Sequence, residues 1–271
     1  MIEDIKYINL KNYLKDLGSA VVAFSGGVDS TFLCKVAKEV LNEKALSITV
    51  DSPYIPKWEI EEAKALAKEI GIRHQLLEVP VILEEIKFNP IDRCYICKNF
   101  VFTSIKEASE KAGYSFVMDG TNADDVKDYR PGLRALKELQ IKSPLLELGI
   151  NKAEIRAFSK KLGLSTWDKP SYACLLSRIP YNEEIKTEDL QLIEKAEKYI
   201  MDLGYKAIRV RKHGDLARIE LPKQEIKEFV DKNFLELVSR ELKDYGFRYV
   251  TLDMEGYRIG SLNEIKELDN K

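Results

Sequence analysis

Two hydrophobic periods alternate along the first part of this chain. Ala20-Val21-Val22-Ala23-Phe24 and Ala45-Leu46-Ser47-Ile48-Thr49-Val50 are short apolar runs without internal charge. That is the pattern of strands buried on both faces of a parallel sheet. Gln75-Leu76-Leu77-Glu78-Val79 and Ser115-Phe116-Val117-Met118-Asp119 predict a third and a fourth strand. Between these runs the apolar positions move to helical spacing. Residues 2–17 predict a helix stopped by Gly18, and Phe32, Leu33, Val36, Ala37 and Val40 predict a second. Ala63, Leu66, Ala67 and Ile70 share one face of a third, stopped by Gly71, and Phe100, Val101, Ile105 and Ala108 mark a fourth. Asn151-Lys152-Ala153-Glu154 has the form of a capping box, opening a helix that ends at Gly163. The alternation predicts an α/β fold with a doubly wound parallel sheet, and Ser143-Pro144-Leu145 reads as the start of its last strand.

From Thr187 the pattern becomes α+β. A helix carrying Leu190, Ile193, Ala196, Ile200 and Leu203 precedes strands over 207–211 and 216–221, helical segments over 224–245 and a strand over 248–253. The expected domains are 1–180 and a smaller α+β domain over 181–271, the latter for substrate binding or oligomerisation. In Ile208-Arg209-Val210-Arg211 the alternation puts Arg209 and Arg211 on one strand face, which either is solvated or receives a phosphate.

Composition narrows the class. The 271 residues are 45% hydrophobic, enough for a substantial core. A net charge of −2 gives no basic field to recruit nucleic acid. No apolar run approaches the roughly 20 residues of a membrane span, and the first residues are acidic where a signal peptide is basic. A cytoplasmic protein is expected, in which four cysteines point to burial, metal or reactivity rather than disulfides.

The chemistry gathers where strands turn into helices. Ser25-Gly26-Gly27-Val28-Asp29-Ser30 follows the first strand directly. Glycines let the backbone approach an anion, and the following helix offers unpaired N–H groups and a positive dipole end. The stretch is neither a Walker A loop nor Gly-x-Gly-x-x-Gly; it has the form of the PP-loop of ATP pyrophosphatases. Ser25 and Ser30 then offer hydroxyls, Gly26 and Gly27 amides, and Asp29 a carboxylate that holds Mg²⁺ or orients the loop. The plainer reading is a glycine-rich turn capped by Asp29 and Ser30. Val50, Asp51 and Ser52 end the second strand where adenine commonly lies, though a simple turn before Pro53 explains them equally. Gly120-Thr121-Asn122-Ala123-Asp124-Asp125 is a second such turn; its aspartates serve metal, ribose or a helix cap. Arg130 and Arg134 follow as candidate anion ligands.

Cys94-Tyr95-Ile96-Cys97 heads a helix, which puts two thiols near its positive dipole end. A redox pair, structural zinc, plain burial and an Fe–S cluster with Cys174 as third ligand all compete. Cys174 itself centres a long apolar loop, residues 167–181, with Ser177 and Arg178 beside it. Loops of that kind inside a compact domain are more often functional than filler. Cys34 falls within an apolar helical pattern and reads as core.

Residues 25–30, 119–125, 128–132, 170–181, 209–214 and 217–220 together resemble the LarE family of ATP-dependent sulfur transferases. Ala173-Cys174-Leu175-Leu176-Ser177-Arg178 is the most specific part of the match. The resemblance implies a pyridinium-3,5-biscarboxylic acid mononucleotide as the small-molecule substrate, in the making of a nickel-pincer nucleotide cofactor. ATP would adenylylate a carboxylate with loss of pyrophosphate, and sulfur would then displace AMP. Some family members sacrifice the cysteine matching Cys174; others hold a [4Fe–4S] cluster on three cysteines that carries external sulfide. Having Cys94, Cys97 and Cys174, this chain resembles the cluster form. The resemblance also implies Cys174, Asp29 and Arg178 as catalytic residues, phosphate or carboxylate contacts from Arg130, Arg134, Ser177, Arg178, Arg209 and Arg211, and a homo-oligomer. Two rivals remain: a PP-loop tRNA thiolase and a non-catalytic nucleotide- and metal-binding module.

Overall fold

The computed structural model describes residues 4–127, 131–231 and 234–258. The chain divides into two compact units, Met1–Val81 with Asp92–Lys169, and Ile82–Ile91 with Pro170–Lys271.

In the first unit, α1 (Ile5–Leu17) leads into β1 (Ala20–Ala23), α2 (Val28–Leu41), β2 (Ala45–Asp51), α3 (Lys57–Ile70) and β3 (Arg73–Glu78). Then come α4 (Arg93–Lys111), β4 (Val117–Met118), α5 (Gly132–Glu138), α6 (Pro144–Glu147) and α7 (Lys152–Lys161). The four strands form one parallel sheet in the order β3-β2-β1-β4. Adjacent residues of β1 explain why its sequence is apolar throughout. Val22 belongs to a core with Leu10 and Leu14 of α1, Phe32, Leu33 and Val36 of α2, and Phe158 of α7. Val21 belongs to another, with Leu46, Ile48, Phe102, Ile105 and Leu136. A strand whose neighbours along the chain enter different cores is covered on both faces, as the doubly wound reading requires. Phe32 is fully buried, a contribution of about 2–3 kcal/mol to stability.

Residues 143–145 do not continue the sheet. Met118 pairs with Lys142 in a single parallel bridge, and α6 begins at Pro144. Proline has no N–H for a ladder but suits the first turn of a helix, where that donor would be unused.

The second unit contains α8 (Thr187–Asp202), β5 (Arg209–His213), β6 (Leu216–Glu220), α9 (Lys223–Asp231), α10 (Phe234–Tyr245) and β7 (Tyr249–Leu252). β5 pairs antiparallel with β6, and β6 parallel with β7. Ile200, Val210, Ile219, Phe229 and Leu242 build its core. This unit takes up the chain from Pro170, upstream of the boundary expected at 181, and also takes residues 82–91. Asn89 supplies the reason. Fully buried, its side-chain amide donates to the carbonyls of Ile179 at 2.7 Å, Pro180 at 2.8 Å and Leu176 at 3.3 Å. Ile185 N donates to Lys87 O at 2.7 Å, and Asn182 N to Asn89 O at 3.3 Å.

Asn89 has φ 48°, so Asn89→Gly removes the amide without backbone strain. Leaving buried carbonyls without a donor, it should cost about 1–3 kcal/mol in urea unfolding. No loss of stability would show that the amide does not anchor this loop.

Candidate functional site

The PP-loop lies between β1 and α2, with Gly27 as the N-cap of the helix. Ser25 Oγ and Ser30 Oγ stand 3.1 Å apart, Ser25 N donates to Ser30 Oγ at 3.3 Å, and Gly27 N donates to Ser25 Oγ at 3.4 Å. These bonds are longer than the usual optimum, so the same donors can turn to phosphate oxygens at little cost. At two glycines a side chain would be crowded. Gly26 has φ +67°, and a Cβ there would meet Ala63 Cα of α3 at 3.3 Å. A Cβ on Gly120 would meet Ser30 N at 3.0 Å and Asp29 Cβ at 3.2 Å. The second strand-to-helix turn therefore lies with its backbone directly against the first.

Asp29 is largely buried. One oxygen, Oδ2, accepts from Lys152 Nζ at 2.6 Å; the other, Oδ1, is buried with no hydrogen-bond partner. Burial pushes the carboxyl above the ordinary aspartate range, Lys152 opposes that rise, Asp125 adds to it and Arg156 opposes it. A hard cation is the chemistry such an oxygen lacks. Asp119, also buried, accepts from Ser143 Oγ at 2.6 Å and from Thr121 Oγ1, and burial raises its carboxyl as well. Asp125 accepts from Asn122 N and Asp124 from Lys152 N, both at 2.9 Å. The acidic turn thus also fastens the start of α7. At the end of β2, Val50 and Ser52 are buried, Ser52 Oγ without a hydrogen-bond partner, and Asp51 pairs with Lys57 at 2.5 Å.

The cysteines divide by exposure. Cys34 is buried in α2, and burial pushes its thiol up, as a core residue requires. Cys94 is exposed and Cys97 half-buried in the first turns of α4, in the first unit; Cys174 is exposed, in the second. Tyr95, between the first two, carries the Arg134 guanidinium 3.6 Å above its ring and donates to Glu138 at 2.7 Å. Arg134 is itself within 3.5 Å of Glu138. Arg130 lies outside the described residues. Among the described residues, no three His, Cys, Asp or Glu side chains are gathered as a metal site.

Around Cys174 the geometry is set by buried charge. Arg178 and Glu197 pair through two bonds of 2.8 and 2.9 Å, with side chains only 1% and 5% exposed. The remaining arm of Arg178 donates to the carbonyls of Ala173 at 2.7 Å and Cys174 at 3.0 Å and to Ser177 Oγ at 2.8 Å. Glu197 also accepts from Val210 N at 2.9 Å. Arg211 pairs with Glu220 at 2.5 and 2.9 Å and donates to Ser177 O at 2.6 Å. Arg209 donates to Ser171 O at 2.9 Å and lies 4.8 Å from the Tyr257 ring centroid. Both strand arginines are buried, so a solvated face is not their role.

Lys152, Lys169, Glu197 and Asn89 escaped the sequence reading. Lys169 Nζ donates to Gly26 O at 2.9 Å and Glu62 at 2.8 Å. Lys152 was visible only as part of a capping box, Lys169 and Asn89 as polar residues near prolines, and Glu197 as a charge interrupting an apolar helix face.

Residues 2–102 match the NAD synthase family model. The chain is 45% identical to an uncharacterized protein of Synechocystis sp., over 96% of this chain and 97% of that one. It is 37% identical to the pyridinium-3,5-bisthiocarboxylic acid mononucleotide synthase of Lactiplantibacillus plantarum, over 93% and 91%. An uncharacterized protein of Methanocaldococcus jannaschii is 35% identical, over 93% of this chain and 97% of its own length.

Glu197→Ala leaves the Arg178 guanidinium buried without its carboxylate. It should lower stability in urea by about 3–5 kcal/mol and speed labelling of Cys174 by a thiol reagent; unchanged labelling would mean that the pair does not hold the loop. A PP-loop and the Arg178-ordered Cys174 loop thus coincide with identity along nearly the whole of both chains, and the protein belongs to the family of the Lactiplantibacillus plantarum synthase, the LarE sulfur transferases.

Proposed function

We propose that this protein is an ATP-dependent sulfur transferase acting on pyridinium-3,5-biscarboxylic acid mononucleotide. The observation that carries the reading is the pairing of a loosely bonded Ser25/Ser30 cradle with a buried, unpartnered Asp29 oxygen. Such a site suits a polyphosphate and its Mg²⁺. A substrate carboxylate oxygen attacks the α-phosphorus of ATP. The bond from that phosphorus to the bridging oxygen breaks, and pyrophosphate leaves with the electron pair. Ser25, Ser30 and the amides of Gly26 and Gly27 hold the leaving group, while Val50, Asp51, Ser52, Gly120, Thr121 and Asp125 form the nucleotide's surroundings. A sulfur nucleophile next attacks the activated acyl carbon, and AMP leaves to give the thiocarboxylate.

Three thiols fit a [4Fe–4S] cluster by donor chemistry: Cys94, Cys97 and Cys174 are each at least partly exposed, unlike Cys34. When bound, the cluster would supply hydrosulfide delivered from outside. Arg178 and Ser177 set the backbone on which Cys174 is presented. In the second unit the buried guanidiniums of Arg178, Arg209 and Arg211 face the buried carboxylates of Glu197 and Glu220. That leaves a positive excess suited to the substrate phosphate, with Arg130 and Arg134 as further candidates. The first unit would carry the ATP chemistry, and the second substrate binding or assembly into a homo-oligomer. Among the described residues no helix is long and apolar enough to cross a membrane, and a cytoplasmic setting suits four cysteines that form no disulfide.

The test uses protein purified without oxygen. Wild type should be coloured, hold iron and release pyrophosphate only with the mononucleotide present, and Cys94→Ala should lose iron. After one turnover the intact mass should be unchanged. Loss of one H₂S from Cys174 would show the cysteine to be the sulfur donor instead. Absence of pyrophosphate release would reject the enzyme, and salt-dependent tRNA binding would point to a tRNA thiolase.

A further inference from the structure

We infer that Lys152 is a phosphate-binding residue of the adenylylation step, held in reserve by Asp29 until ATP and its metal arrive. The inference rests on the ATP-dependent reading above and names a residue that neither the PP-loop pattern nor the resemblance supplies.

Three cations from α7 and the segment after it approach the loop. Arg156 donates to the carbonyls of Trp167 at 2.6 Å and Lys169 at 2.8 Å. Lys169 donates to Gly26 O and to Glu62. Both therefore brace backbone. Lys152 is different. Its ammonium contacts Asp29 Oδ2, the carboxylate that a polyphosphate-bound Mg²⁺ would engage. Once a divalent ion neutralises Asp29, the reason for the 2.6 Å contact weakens, and the ammonium is left among incoming phosphate oxygens.

The construction of α7 suits that exchange. Its root is fixed: Lys152 N donates to Asp124 Oδ2 at 2.9 Å, and Asn151 and Glu154 close a capping box around the helix start. Its head is not: the side chain is 29% exposed on a flexible four-carbon stem. A lysine so placed can follow charge as it moves from the α–β bridging oxygen onto departing pyrophosphate. A cation aimed at charge that develops in the transition state accelerates the step that produces it. The Gly26 and Gly27 amides are neutral donors, so the ammonium adds what they lack.

The experiment compares wild type, Lys152→Met and Lys152→Arg by calorimetric binding of α,β-methylene-ATP and of AMP, each with Mg²⁺. Lys152→Met should weaken the triphosphate analogue by about tenfold or more, as loss of a charge-assisted bond does, and leave AMP within about twofold. Lys152→Arg should recover most of the loss. Equal affinities of wild type and Lys152→Met for the analogue, or equal losses for analogue and AMP, would overturn the inference and leave Lys152 a structural counter-ion. Should Lys152→Met fail to fold, the comparison moves to the Asp29→Asn background, where no buried carboxylate needs a counter-ion. There, Asp29→Asn/Lys152→Met must still bind the analogue more weakly than Asp29→Asn. Wild type that binds neither nucleotide rejects the ATP reading itself, and the inference with it; wild type that binds both while the variants match it rejects Lys152 alone.

Discussion

The site in the first unit depends on the contact of two chain turns at the ends of neighbouring parallel strands. β1 and β4 run side by side, so the turns that follow them emerge at the same sheet edge. Gly120 lies so close that a Cβ on it would stand 3.0 Å from Ser30 N and 3.2 Å from Asp29 Cβ. Close packing then buries Asp29, and burial raises the free energy of its charged form. That consequence accounts for a counter-ion recruited from α7, beside a second carboxylate oxygen that is buried without a hydrogen-bond partner. A sheet that ended these strands apart would have the same motif and none of this electrostatics.

The second unit solves a different problem with the same means. Residues 170–181 lack the apolar periodicity to dock as a long helix or a strand. Buried polar groups hold them instead. Arg178 converts one ion pair with Glu197 into three contacts along the Cys174 segment, and Asn89 binds three carbonyls just beyond it. Buried ion pairs of this sort add little net stability, because desolvation offsets much of the attraction. Here the pair also aims Arg178 Nη1 at the carbonyls of Ala173 and Cys174.

Much of this was legible in the chain. The apolar runs of β1 and β2, the helix stops at Gly18 and Gly71, and the capping box at Asn151 report local preferences that burial reinforces. Residues 143–145 misled because an apolar segment near a sheet reads as strand, whereas Pro144 decides for helix. Arg209 and Arg211 were correctly placed on one strand face, but alternation carries no information on whether a face meets water or Glu220.

Sequence by itself therefore determined the elements, the doubly wound sheet and the phosphate-binding turn, since each follows from periodicity and backbone freedom within a few residues. Tertiary structure alone decided which charges meet. The Lys152–Asp29 pair spans 123 residues of chain, and no local propensity encodes so distant a partner. Nor does sequence state the cost of burying Asp29, which arises from the tertiary packing around its carboxyl. The loop's composition names the ligand class; the packing around it sets the charge that the ligand encounters.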